Sequence, residues 1–190
     1  MTPLQELCNA VTIVPPGALL VCAHWRRRPL LALAGALQTP AAFAYHASVA
    51  RLGHRIDNDL RRLDQTMQHI AAVCLTYELS GCAVAYTLLA AAYAAYSVRC
   101  LWHPATSNDG RRCYAVLGSV FFYLGPVLCS PSVGAARKAL AFGTMLVGGL
   151  LAFVPPAQVL GGWSHAAFHV LLVPHVWSLA RSPSAMAPLT

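Results

Sequence analysis

The chain has 190 residues, of which only 10% are charged and 57% are apolar, and its mean hydropathy is +0.56. Average soluble proteins carry roughly a quarter charged residues, and disordered chains combine low hydrophobicity with high net charge, so both classes are excluded. At about 20 residues per spanning helix the length holds roughly seven spans with short connections, which puts any functional site within or beside the bilayer.

The net charge of +7 comes from 13 Lys and Arg against 6 acids. The basic residues sit between apolar runs rather than in one stripe, a pattern that fits lipid headgroups as partners and not nucleic acid. Seven cysteines, an odd number with no CxxC pair, make neither a disulfide framework nor a thiolate zinc site. No basic segment precedes the first apolar stretch at Met1 to Glu6, so no cleaved signal peptide is expected.

In chain order, apolar runs predict spans at about 7–24, 29–50, 64–80, 81–98, 113–130, 138–158 and 162–181, with a disordered tail over 182–190. The expected fold class is all-α: a polytopic, multi-pass membrane protein, a seven-transmembrane helix bundle forming one domain over 1–181. Only Leu79-Ser80-Gly81 separates the third and fourth runs, so a single kinked helix over 64–98 stays open. Pro40, Pro126 and Pro174 fall inside runs and predict kinks, which spanning helices tolerate where neighbours satisfy the freed carbonyls. With seven spans the 13 basic residues divide seven against six between the two sides, which sets no orientation.

Ionisable groups at membrane depth are costly and point to function, which singles out His46, Asp64, His69, Glu78, His165, His169 and His175. His165 and His169 are four apart, so a helix carries both imidazoles on one face, as a shared metal ion requires. The spacing alone is weak, and the Glu of the HExxH metalloprotease motif is missing. Topology adds to it. Under seven spans His46 closes span 2, Asp64 opens span 3 and the histidine pair opens span 7, all on one side of the membrane. Three histidines with one open position make a catalytic rather than a closed structural zinc arrangement. A hydrogen-bonded polar cluster that locks helices together fits the same spacing. His69 and His175 lie off the faces of their neighbours and read as helix-contact histidines, and Glu78 ends span 3 on the opposite side.

Phe43-Ala-Tyr-His46, Leu60-Arg-Arg-Leu-Asp64, Thr76-Tyr77 and Ser164-His-Ala-Ala-Phe-His-Val-Leu-Leu-Val173 resemble the hemolysin III and progestin/adipoQ receptor proteins. These belong with alkaline ceramidases to a wider superfamily of seven-span membrane hydrolases. The resemblance runs over about 40–82 and 161–178, and elsewhere extends only to hydrophobicity. It implies that His46, His165 and His169 bind Zn2+ and that Asp64 contacts the metal's water or a histidine. It also implies a serine four residues before His46, where this chain has Ala42.

Two functions follow as expectations. One is a zinc-dependent hydrolase cleaving the amide or ester of an acyl lipid, with Asp64 catalytic. The other is a non-catalytic receptor or structural membrane protein that keeps the metal, which Ala42 favours. A pore is disfavoured, since no span carries a sustained polar stripe.

Overall fold

The structure, a computed structural model, describes residues 1–53, 59–81, 83–103, 111–153 and 160–180. Among these residues every regular element is helical: α1 (Pro3–Thr12), α2 (Val14–His24), α3 (Pro29–Leu52), α4 (Asp59–Leu79), α5 (Val84–Trp102), α6 (Arg111–Cys129), α7 (Ala135–Phe153) and α8 (Ser164–Ala180), with a short 3-10 turn at Leu160–Gly162 ahead of α8. The first apolar run is thus two helices joined at Ile13, just ahead of Pro15 and Pro16. The stretch left open over 64–98 is also two helices. Gly81 turns the chain between α4 and α5 at φ 70°, a left-handed conformation that glycine adopts without a Cβ clash. The expected tail over 182–190 lies outside the described residues.

Three helical stretches among the described residues are long and apolar enough to cross a membrane: Pro3–His24, Val84–Trp102 and Ala135–Ala152. The seven predicted spans are not all reached by that measure. α8 has 17 residues, and α4 gives buried positions to Asp64, Gln65, His69 and Thr76, which lower its hydropathy.

α1 shows how the polarity is arranged. Thr2 and Gln5 form a reciprocal cap, with the Thr2 N–H donating to Gln5 Oε1 at 2.8 Å and the Gln5 N–H to Thr2 Oγ1 at 3.3 Å. Beyond the cap the usual amphipathic pattern is inverted. Gln5, Glu6 and Asn9 are buried, whereas Leu4, Leu7 and Val11 are 61%, 49% and 56% exposed. An apolar exterior continues on other helices through Leu88, Leu89, Phe121, Leu150 and Val170.

α1 packs on α3 and α8, α2 on α3 and α8, α4 on α3, α5 and α6, and α7 on α8. Where α2 crosses α3, a Cβ on Gly35 would lie 2.8 Å from the Gly17 carbonyl oxygen, so the close approach of the two backbones needs glycine there. The main core joins α4, α6, α7 and α8 through Ala72, Leu79, Val120, Tyr123, Leu124, Val127, Ala141 and Leu179. Pro126 lies inside α6 and has no N–H to give Phe122, one turn earlier. The Tyr86 hydroxyl of α5 supplies the missing donor, 3.0 Å from the Phe122 carbonyl oxygen.

Candidate metal centre

Three helices deliver the polar cluster at matching ends. His46 lies in the last two turns of α3, and His165 and His169 in the first two turns of α8, with Glu6 in the first turn of α1. His165 and His169 project from one face as the i,i+4 spacing requires, with ring centroids 4.6 Å apart. The His46 ring lies 4.9 Å from that of His165 and 5.5 Å from that of His169. One donor nitrogen from each of the three falls within 4.8 Å of the others, and this is the group among the described residues able to hold a metal ion.

The outward ring nitrogens of His46 and His169 are already engaged. His46 Nδ1 is 2.8 Å from Glu6 Oε2, and His169 Nδ1 is 2.9 Å from the Asn9 carbonyl oxygen. Because a backbone carbonyl only accepts, the His169 Nδ1–H must be the donor, which leaves Nε2 with its lone pair. The same logic at the carboxylate assigns the Nδ1–H tautomer to a neutral His46. The His46 lone pair then faces His165 Nε2 across 3.2 Å. Two ring nitrogens at that distance are stable with either a hydrogen, carried on a neutral His165 Nε2, or a metal ion between them. Zinc to nitrogen bonds of about 2.0–2.1 Å place tetrahedral ligands roughly 3.3 Å apart, so the pair fits this ion's size. Imidazoles whose far N–H donates to a carboxylate or a backbone carbonyl are the usual form of a metal-binding histidine. The residues present fit a divalent ion of this kind.

The histidines stand at the polar end of a cavity of about 380 Å³. Tyr45, Arg61, Asp64, Gln65 and Gln68 share that wall, and Leu20, Leu75, Leu172 and Val176 line the apolar remainder. Asp64 is 6% exposed. Its Oδ2 accepts from Gln68 Nε2 at 3.1 Å, while Oδ1 is buried without a hydrogen-bond partner. Asp64 thus lines the cavity beside the histidines without joining their donor cluster. Ala42 lines the same cavity and is buried.

The other candidates lie apart. His69 Nδ1 pairs with Ser119 Oγ at 2.7 Å. His175 Nδ1 is 3.1 Å from the Ala141 carbonyl oxygen, and its Nε2 is 3.2 Å from the Tyr123 hydroxyl. Both are satisfied helix contacts. Glu78 is fourteen residues beyond Asp64 on α4, about 20 Å along the axis, and takes no part. Sequence reasoning missed Glu6, Asn9, Gln65 and Gln68. The first two did leave a signal. Gln5, Glu6, Asn9 and Thr12 recur every three or four residues, a polar stripe on a helix that is otherwise apolar.

No family model, no curated protein and no solved structure matches the chain. What the cluster can do is therefore read from its own donors and their surroundings.

Proposed function

We propose that the chain is a multi-pass membrane protein of seven helical spans, related to the hemolysin III and progestin/adipoQ receptor proteins it resembles. In this reading it binds one zinc ion through His46, His165 and His169 and hydrolyses the amide or ester bond of an acyl lipid. One observation carries the proposal: three histidine nitrogens within 4.8 Å of one another, on a cavity of about 380 Å³ that Leu20, Leu75, Leu172 and Val176 also line. The inverted polarity of α1 supports the membrane part. A helix that hides Glu6 and Asn9 and exposes Leu4, Leu7 and Val11 is built for an apolar surrounding. α3, α4, α6 and α8 complete the seven spans in this reading, with Asp64, His69, Ser119 and His169 buried away from lipid.

When bound, zinc would polarise an acyl carbonyl and lower the pKa of water toward about 7. The chain's own groups do the rest. Asp64 Oδ1, which no other group occupies, accepts a proton from water at the histidine end of the cavity. Gln68 holds Oδ2 and so fixes the orientation of the carboxylate. Leu20, Leu75, Leu172 and Val176 take the acyl chain and exclude water from around it.

Ala42 favours a second reading. With no hydroxyl at position 42, a donor for a developing oxyanion is lost there, and the chain becomes a receptor or structural protein that uses zinc to pin α3 and α8. Metal analysis of the purified protein, followed by incubation with ceramide and with acyl-ester lipids, separates the two. The hydrolase reading expects one zinc per chain and fatty-acid release that Asp64→Ala abolishes. Zinc without turnover leaves the receptor or structural reading, and no metal at all sinks both.

A further inference from the structure

We infer that Glu6 is the positioning residue of this centre: it holds His46 with Nε2 turned to the metal and supplies a negative charge beside the three histidines. The inference rests on the metal-binding reading above.

Glu6 is 1% exposed, as is Asn9. Its Oε2 has two partners, His46 Nδ1 at 2.8 Å and Asn9 Nδ2 at 3.3 Å. Its Oε1 is buried with no hydrogen-bond partner. A carboxylate so enclosed is costly unless an opposite charge lies close by. Among the described residues arginine and lysine do not supply it, for Glu6 has no ion pair there except that with His46. Helix packing does not call for a carboxylate here either, since the oxygen of a glutamine of the same shape could also accept from His46 and from Asn9, though more weakly. What glutamine lacks is the charge, and a charge is needed where a dication sits one imidazole away. The path is short: carboxylate, Nδ1–H, ring, Nε2.

The same helix braces a second ligand. The Asn9 carbonyl accepts from His169 Nδ1 at 2.9 Å, and the Thr12 hydroxyl lies 3.2 Å from that nitrogen. At its start, Gln5 Nε2 donates to the Gly161 carbonyl at 2.9 Å and ties α1 to the turn that launches α8. The metal ligands therefore come from α3 and α8, and the groups that aim two of them come from α1. Carboxylates in this position raise the basicity of the imidazole and fix its tautomer, and their removal costs roughly 10–100-fold in metal affinity.

The test uses the full-length chain in lipid nanodiscs and compares parent, Glu6→Gln and Glu6→Asp. The zinc dissociation constant is read by chelator competition, and the visible spectrum is read after cobalt substitution. Glu6→Gln is expected to weaken zinc by about 10–100-fold and to alter the cobalt bands, with helix content and melting of the metal-free protein unchanged. Glu6→Asp, which keeps the charge and loses reach, is expected between the two. If Glu6→Gln fails to fold, the aspartate variant decides. Zinc affinity within twofold of the parent, with an unaltered cobalt spectrum, in whichever variant folds overturns the inference. A parent that binds no more zinc than His165→Ala overturns the metal reading itself and this inference with it, a result distinct from a zinc-loaded parent indifferent to Glu6.

Discussion

His165 and His46 stand 119 positions apart in the chain and bring their Nε2 atoms to 3.2 Å. Neither nitrogen can satisfy the other unless one carries a proton, and His46 already spends its Nδ1–H on Glu6. The third ring, His169, closes the group. Three imidazoles converge, and the far nitrogens of His46 and His169 are engaged by Glu6 and the Asn9 carbonyl, the usual arrangement around a shared metal ion.

Zinc content should follow these three side chains. Purified parent is expected to hold about one zinc per chain, and His165→Ala and His169→Ala to hold much less. At a free zinc concentration of 100 times Kd, binding adds about 2.7 kcal/mol to the folded state, so a chelator should lower the melting temperature of the parent and leave the two variants unmoved. Equal metal in parent and variants rules out the site.

Position 42 should set the rate of any hydrolysis. It precedes His46 by one turn, on the cavity wall. A preorganised donor at a developing oxyanion contributes roughly 2.7–4 kcal/mol in known sites, so Ala42→Ser should raise turnover of ceramide or acyl esters by about a hundredfold or more. Asp64→Ala should be inactive in either background. Turnover that survives it would show that another group handles the proton.

Labelling should place the two ligand-bearing helix ends on one side of the membrane. In a background without the seven native cysteines, single cysteines at Arg51 and Trp163 are expected to react from the same side, and one at Trp25 from the other. Trp25 and Trp163 are 66% and 40% exposed, so neither substitution disturbs a core. Opposite sides for Arg51 and Trp163 would be incompatible with the shared site in a spanning arrangement.

The Tyr86 hydroxyl should matter only because of Pro126. Tyr86→Phe leaves the Phe122 carbonyl without its donor, at a cost of about 1–3 kcal/mol if no lipid or water group replaces it. In a Pro126→Ala background the helix regains its own N–H, and the same Tyr86→Phe change should cost markedly less. Unfolding of both pairs in mild detergent measures the difference, and equal costs would mean that the hydroxyl serves some other purpose.

Much of this was legible beforehand, and the reasons differ by residue. His165 and His169 could be paired because four residues is one helical turn, a local rule that no distant contact overrides. His46 could be added because alternating spans return chain ends to the same side. Glu6 could not be placed that way. Hydropathy alone starts the first apolar run at residue 7, whereas the Thr2 cap starts α1 at Pro3 and carries Glu6 inside the helix. The seven apolar runs are visible in the sequence, but among the described residues the measure of a spanning helix is met in three stretches. α4 and its like spend hydropathy on inward polar groups whose direction no composition average records. The Ser80-Gly81 break was equally ambiguous in sequence, because a glycine at a helix end and a glycine at a kink read alike until φ is known.

The reach of α1 across to both α3 and α8 sets an order for biogenesis. Glu6 and His46 leave the ribosome ahead of His165, which follows His46 by 119 positions. During that interval the carboxylate has at most one imidazole for company and the brace on Asn9 has nothing to hold. The cluster therefore closes only when α8 arrives beside α1, and a nascent chain stalled before α8 would hold the Glu6 carboxylate with one of the three imidazoles and not the other two.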